Sequence, residues 1–224
     1  KVGKSWLALQ IAHAVGMGGA VLDRRVQAGK VLYLALEDSP RRLQRRMLKQ
    51  GALASADIKF ETSLRRPLAN DGMADLATAL AQGGYSLVVI DTLSRALGNV
   101  DQDDQAEMNH YMALLQREAL DRDLAILVID HHRQPKGFTE DPIDDILGAT
   151  AKAAYADAAL GLFKTQGKAG AVLKVVGRDL EWQELALSWD PAACCWHLEG
   201  AVEEIALRGN KMKVLDALRP RLPS

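Results

Sequence analysis

The chain opens on Lys1-Val2-Gly3-Lys4-Ser5, the last five positions of the pattern G-x-x-x-x-G-K-[ST]. In that pattern glycine lets backbone N–H groups turn inward around phosphate oxygens. Lys4 is then expected to reach the β- and γ-phosphates of a nucleotide, and Ser5 to offer its hydroxyl to Mg2+. The helix that starts here adds the positive end of its dipole. A bare Gly-Lys-Ser occurs by chance, and a glycine turn capping an ordinary helix is the alternative. Here, however, it directly precedes Trp6-Leu7-Ala8-Leu9-Gln10-Ile11-Ala12, a buried-helix pattern in the right place. Lys1, Val2, Gly3, Lys4, Ser5 and Trp6 are therefore the candidate cofactor-binding residues, with ATP and Mg2+ as the expected cofactors. The first glycine of the pattern would fall before Lys1, so the chain is expected to begin inside the motif.

Four further positions carry candidate chemistry. Asp91 closes the apolar run Ser86–Asp91. A carboxylate at the C-terminal edge of a parallel strand is placed to hold Mg2+ directly or through water, although such an aspartate also caps turns. Glu37 follows the run Val31–Leu36 and is a candidate base for orienting and deprotonating an attacking water. The alternative, a helix N-terminal acid favoured by the dipole, suits Asp38 better. His131 and His132 follow Leu124–Asp130. Adjacent side chains diverge and no acid or cysteine has ligand spacing, so a γ-phosphate sensor at His131 or a plain polar strand end is expected rather than a metal site. Lys174 and Arg178 end a late strand, and Arg178 is a candidate arginine finger. The competing reading pairs Arg178 with Asp179 or Glu181.

The elements that must position these residues alternate. Val31–Leu36, Ser86–Asp91 and Leu124–Asp130 read as buried parallel strands. Ser5–Val15, Pro40–Gln50, Met73–Ala81 and Gln105–Leu120 read as helices, with Ser39 as an N-cap and Pro40 at the first helical position. Beyond about residue 150, Ala158–Phe163, Ala171–Val176, Leu185–Trp189 and Cys194–Leu198 read as short antiparallel strands, with a turn at Gln166–Gly170. The expected architecture is α/β: a doubly wound, mostly parallel sheet extended by antiparallel strands on its C-terminal side. Residues 1–199 form that domain. Residues 200–224 form a helical tail (Val202–Leu207, Lys211–Leu218), read as a candidate start of a further module.

Composition bounds the partners. The chain has 224 residues, 48% hydrophobic and 25% charged, enough for one large globular domain. No stretch nears the ~20 apolar residues of a membrane span. Only Cys194 and Cys195 are present, read as small fillers in a reducing cytoplasm. A net charge of −1 gives no global pull on nucleic acid, so any such contact must be local. The basic run Arg41–Lys49, with an apolar stripe of Leu43, Met47 and Leu48, leaves three readings open: nucleic acid, subunit contact or a solvated face.

The set KVGKS, LALEDS, LVVIDTLSRA, LVIDHHRQPKG, GATAKAAYADAALGL and VVGRDLEWQELAL resembles the RecA-like P-loop ATPases of the plasmid RepA type, relatives of the DnaB-type replicative helicases. The likeness runs from Lys1 to about Leu198. It implies a hexameric ring, a homo-oligomer with ATP between subunits and single-stranded DNA held by loops in the central hole. By position it implies Lys4 and Ser5 as the P-loop pair, Asp91 as the Walker B acid, Glu37 as the base, His131 as the sensor and Arg178 as a finger acting on the neighbouring subunit. Asp91 is followed by Thr92 and not by glutamate, so the base must come from elsewhere, and Glu37 fills that place. The DNA loops would be roughly Ser94–Asp104 and Arg133–Gly148. Asp141, Asp144 and Asp145 in the second would repel a phosphate backbone. The implied activity is ATP-driven translocation and duplex unwinding in plasmid, phage or mobile-element replication. A DNA- or partner-binding ATPase switch that does not unwind is the alternative.

Overall fold

The computed structural model describes residues 3–52, 55–101, 104–130, 154–164 and 170–207. Lys1, Val2, His131, His132, the expected second DNA loop and the helix expected over Lys211–Leu218 lie outside them. The elements run α1 (Lys4–Met17), β1 (Ala20–Val21), β2 (Arg24–Arg25), β3 (Lys30–Ala35), α2 (Pro40–Lys49), β4 (Ile58–Glu61), α3 (Met73–Gly83), β5 (Tyr85–Asp91), α4 (Leu93–Leu97), α5 (Gln105–Arg122), β6 (Ala125–Ile129), β7 (Ala158–Lys164), β8 (Gly170–Gly177), β9 (Leu180–Asp190) and β10 (Cys195–Ala201).

The α/β architecture is as expected, with a parallel sheet of order β4-β3-β5-β6 and antiparallel strands on its C-terminal side. Those strands, β10-β9-β8-β7, pair among themselves, and among the described residues no ladder joins them to β6. The continuous apolar runs are explained by burial on both faces. On one face Leu32, Leu34, Val88 and Ile90 pack against Leu76 and Leu80 of α3, Leu93 of α4 and Met108, Met112 and Leu115 of α5. On the other, Val31, Tyr33, Ala35, Leu87 and Val89 meet Ala8, Leu9 and Ala12 of α1 and Leu43 of α2. Each valine, leucine, isoleucine or methionine among them contributes about 1.5–3 kcal/mol when fully buried.

Helix α1 is apolar on more than one side because it lies between the two sheets. Ala8, Leu9 and Ala12 face the parallel sheet, while Leu7 packs with Leu162, Leu173, Leu187 and Trp196 of the antiparallel one. Gln10 locks the second contact. Its amide donates to the Trp196 carbonyl at 2.9 Å and accepts from the Trp196 N–H at 3.0 Å. β10 is the edge strand, so Gln10 occupies main-chain groups that β9 leaves unpaired.

Several boundaries differ from expectation. β9 starts at Leu180 rather than Leu185, because the polar stretch Glu181–Glu184 still pairs with β8 across Lys174↔Glu184 and Val175↔Gln183. Gly170 begins β8 rather than ending a turn. Cys194 sits in the preceding turn with φ 54°, and the final strand runs from Cys195 to Ala201, with helix over 202–207. Ser94 through Leu97 are helical, with Ala96 and Leu97 buried and Arg95 exposed, so the start of the expected first DNA loop is a packed helix. In α2 Ser39 is the N-cap, accepting from Arg42 N at 3.4 Å, as expected. Leu48 does not join the apolar stripe. It lies five residues from Leu43, about 140° around the helix, and is 68% exposed. A two-residue hairpin, β1–β2, was not expected. Leu22 and Asp23 both take positive φ at its tip, as a tight primed turn requires, without the Asn-Gly signature that advertises one.

Candidate nucleotide-binding site

The ends of β3, β5 and β6 and the start of α1 form one rim. Gly3 is the N-cap of α1, with φ 98° and no side-chain cap. Two constraints keep it glycine. The left-handed backbone disfavours any Cβ, and a Cβ built there would lie 3.1 Å from the Trp196 ring. The Trp196 indole N–H also donates to the Gly3 carbonyl at 3.4 Å. No side chain caps the first turn of α1, where backbone N–H groups lack intrahelical partners, the arrangement that receives an anion.

Lys4 is the cation of this rim. Its ammonium donates to the main-chain carbonyl of Asp130, the residue after β6. Burial pulls its pKa below the ordinary lysine value, opposed in order by the charges of Asp130, Asp91 and Glu37. The sequence-expected residues Lys4, Glu37 and Asp91 thus converge. Asp130 joins them through a carbonyl and a charge that no sequence pattern singled out.

Asp91 is the last residue of β5 and is 3% exposed. Its Oδ2 accepts from the Tyr33 hydroxyl at 3.1 Å. Its Oδ1 is buried and makes no well-formed hydrogen bond in the described residues. Burial raises the Asp91 pKa above the usual carboxylate range. The Ser5 and Tyr33 hydroxyls pull it back, and the charges of Glu37 and Asp38 add to the rise. Ser5 and Asp91, the two candidate Mg2+ residues, are therefore neighbours. Among the described residues no group of three or more His, Cys, Asp and Glu side chains is arranged to hold a metal by itself. The donor set fits Mg2+, which binds through one or two carboxylates and completes its shell with substrate phosphates and water.

Glu37 lies two residues beyond β3, and its Oε1 accepts from the Thr92 hydroxyl at 3.1 Å. Thr92 is 1% exposed, and its hydroxyl also lies 3.0 Å from the Ser94 hydroxyl. Asp38, by contrast, is taken up by α2: it holds Arg42 at 2.8 Å, and it also binds Arg46. The Arg46 guanidinium in turn lies 4.7 Å over the Trp6 ring, which meets Trp189 edge-on. Gln50 donates to the Trp6 carbonyl at 2.9 Å and to the Cys194 carbonyl at 3.0 Å.

The remaining candidates stand apart. Arg178 donates to the Ala154 carbonyl at 2.9 Å and lies 3.7 Å from Asp157. The Lys4 cluster does not include it within this chain. Asp157, not Asp179 or Glu181, is its carboxylate neighbour. Lys174 pairs with Glu184 at 2.7 Å and lies between Phe163 and Trp182, an internal contact of the antiparallel sheet. Cys194 and Cys195 are free thiols.

A parallel sheet whose strand ends gather a lysine at a helix start, a buried aspartate and a glutamate has the RecA-like P-loop ATPase fold. Residues 1–137 match the AAA domain family, and the chain belongs to it. The crystal structure of the RadB recombinase is similar, with a TM-score of 0.58 at 19% sequence identity over 88% of this chain and 85% of that one. A comparison with curated proteins finds no match. No described helix is long and apolar enough to cross a membrane.

The raised Asp91 pKa has a defined sign for stability. The folded state holds this proton more tightly than the unfolded chain does, so its ionised form opposes folding. That opposition is relieved as pH falls through the raised pKa. Asp91→Asn should therefore melt higher than wild type at pH 7, with the gain shrinking in acid. Melting curves across pH for both proteins test this, and an equal or lower melting point for the variant at pH 7 would contradict it.

Proposed function

We propose that this chain is an ATP-driven motor of the replicative-helicase type. It hydrolyses ATP between identical subunits, moves along single-stranded DNA and unwinds duplex in the cytoplasmic replication of a plasmid, phage or mobile element. The observation that carries the reading is the convergence of Lys4, Glu37 and Asp91 on one rim, around a helix start. Lys4 would exchange the Asp130 carbonyl for phosphate oxygens, and Ser5 and Asp91 would hold Mg2+. When bound, Mg2+ supplies neutralisation of charge on the β- and γ-oxygens. Glu37, held by Thr92, takes the proton of the attacking water. His131 acts as the phosphate sensor.

Arg178 acts across the subunit boundary in a hexameric ring. Its support is exposure: its pair with Asp157 is open to water, and such pairs contribute little and are readily exchanged. Single-stranded DNA is held by local basic groups, among them the exposed Arg95 of α4. A second reading, a DNA- or partner-binding ATPase switch that does not unwind, is favoured by the likeness to a recombinase.

Glu37→Gln should retain ATP binding and lower turnover by about 10²–10⁴-fold; near-normal turnover would reject Glu37 as the base. Arg178→Ala subunits mixed into wild type should depress ATPase activity more than dilution does, and a strictly proportional loss would exclude a finger in trans. Single-stranded DNA should stimulate hydrolysis, and a forked duplex should be unwound. Stimulation without unwinding selects the switch, and no stimulation defeats both DNA readings.

A further inference from the structure

Tyr33 lies inside β3 on the face covered by α1 and is 1% exposed. Its ring packs against Phe60 with centroids 5.5 Å apart, a contact that phenylalanine would make equally well. The hydroxyl is the costly part: burying it is unfavourable unless it is hydrogen-bonded. Its acceptor is Asp91 Oδ2 at 3.1 Å. The register explains the reach. Tyr33 stands opposite Val89, and Asp91 stands opposite Ala35, two residues further along the same face. The hydroxyl therefore points diagonally along the sheet towards the rim.

A carboxylate at a strand end rotates about its last bond unless something holds it. One oxygen of Asp91 is held, and the other, Oδ1, is buried with no well-formed hydrogen bond in the described residues. The Ser5 side chain lies against the same carboxyl group. We propose that Tyr33 is a positioning residue for the cation site, its hydroxyl fixing Asp91 so that the second oxygen is presented to the divalent cation beside Ser5. The proposal rests on the nucleotide-site reading above and deepens it. It assigns to Tyr33 no contact with nucleotide or metal.

The test uses the full chain with Mn2+ as probe, titrated in the presence of ADP and followed by electron paramagnetic resonance. Removing a group that orients a metal ligand typically costs 10–100-fold in metal affinity. Tyr33→Phe should weaken Mn2+ by about that factor. Binding of metal-free ADP should be unchanged, and the variant should still melt cooperatively. Unchanged Mn2+ affinity would overturn the proposal. So would an equal loss of metal-free ADP binding, since that marks a general loosening of the core. Asp91→Asn separates the two levels of the argument. If Asp91→Asn abolishes Mn2+ binding and Tyr33→Phe leaves it intact, only the role of Tyr33 fails. If the wild-type chain binds neither ADP nor Mn2+ with ADP, the nucleotide site itself fails, and the role of Tyr33 with it.

Discussion

An ammonium group drawn out of water has to be met by oxygen, and Lys4 is met by a main-chain carbonyl and by the fields of three carboxylates. The rest of the rim follows from that requirement. One cation among Asp130, Asp91 and Glu37 leaves the cluster acidic, which is a poor host for a bare polyphosphate. A divalent cation would reconcile the two, because it would bring the largest positive charge to the place where carboxylates and phosphates otherwise repel. The desolvated Asp91, with one oxygen held and the other without a well-formed bond, has the same character.

The antiparallel sheet borders this site although, among the described residues, it contributes no carboxylate or lysine to it. Trp196 packs against Gly3 and bonds to its carbonyl, Gln10 clamps α1 to the same strand, and Gln50 joins α2 to both Trp6 and the turn at Cys194. A phosphate loop is a stretch of glycine-permitted backbone with little side-chain packing of its own. Among the described residues before Lys4, Gly3 is held by the buried Trp196, while Gln10 and Gln50 hold α1 and Trp6 in place behind it.

Much of the charge conspicuous in the sequence is absorbed internally. Of the basic helix α2, Arg42 and Arg46 are engaged by the buried Asp38, while Arg41, Arg45 and Lys49 remain exposed. Lys174 is taken up by Glu184 and two aromatic rings. With a net charge of −1, the surface left for an anionic polymer is local rather than global.

The sequence by itself determined most of the strands and helices, though not β1, β2, β4 or α4, and three stretches of the candidate site. Doubly covered strands must be continuously apolar, so β3, β5 and β6 were legible from composition. Gly3-Lys4-Ser5, Glu37 and Asp91 were legible because each sits at a strand end or helix start, where a polar residue interrupts an apolar run. What only the tertiary structure decided involves residues far apart in the chain. Tyr33 on Asp91, Thr92 on Glu37, the Asp130 carbonyl on Lys4 and Trp196 on Gly3 are side-chain or main-chain groups whose types are ordinary for a core or a turn. Their partners are set by strand register and by the packing of α1 between two sheets. The linear pattern does not encode that register, because hydrophobic periodicity records which face is buried and not which residue lies across from it.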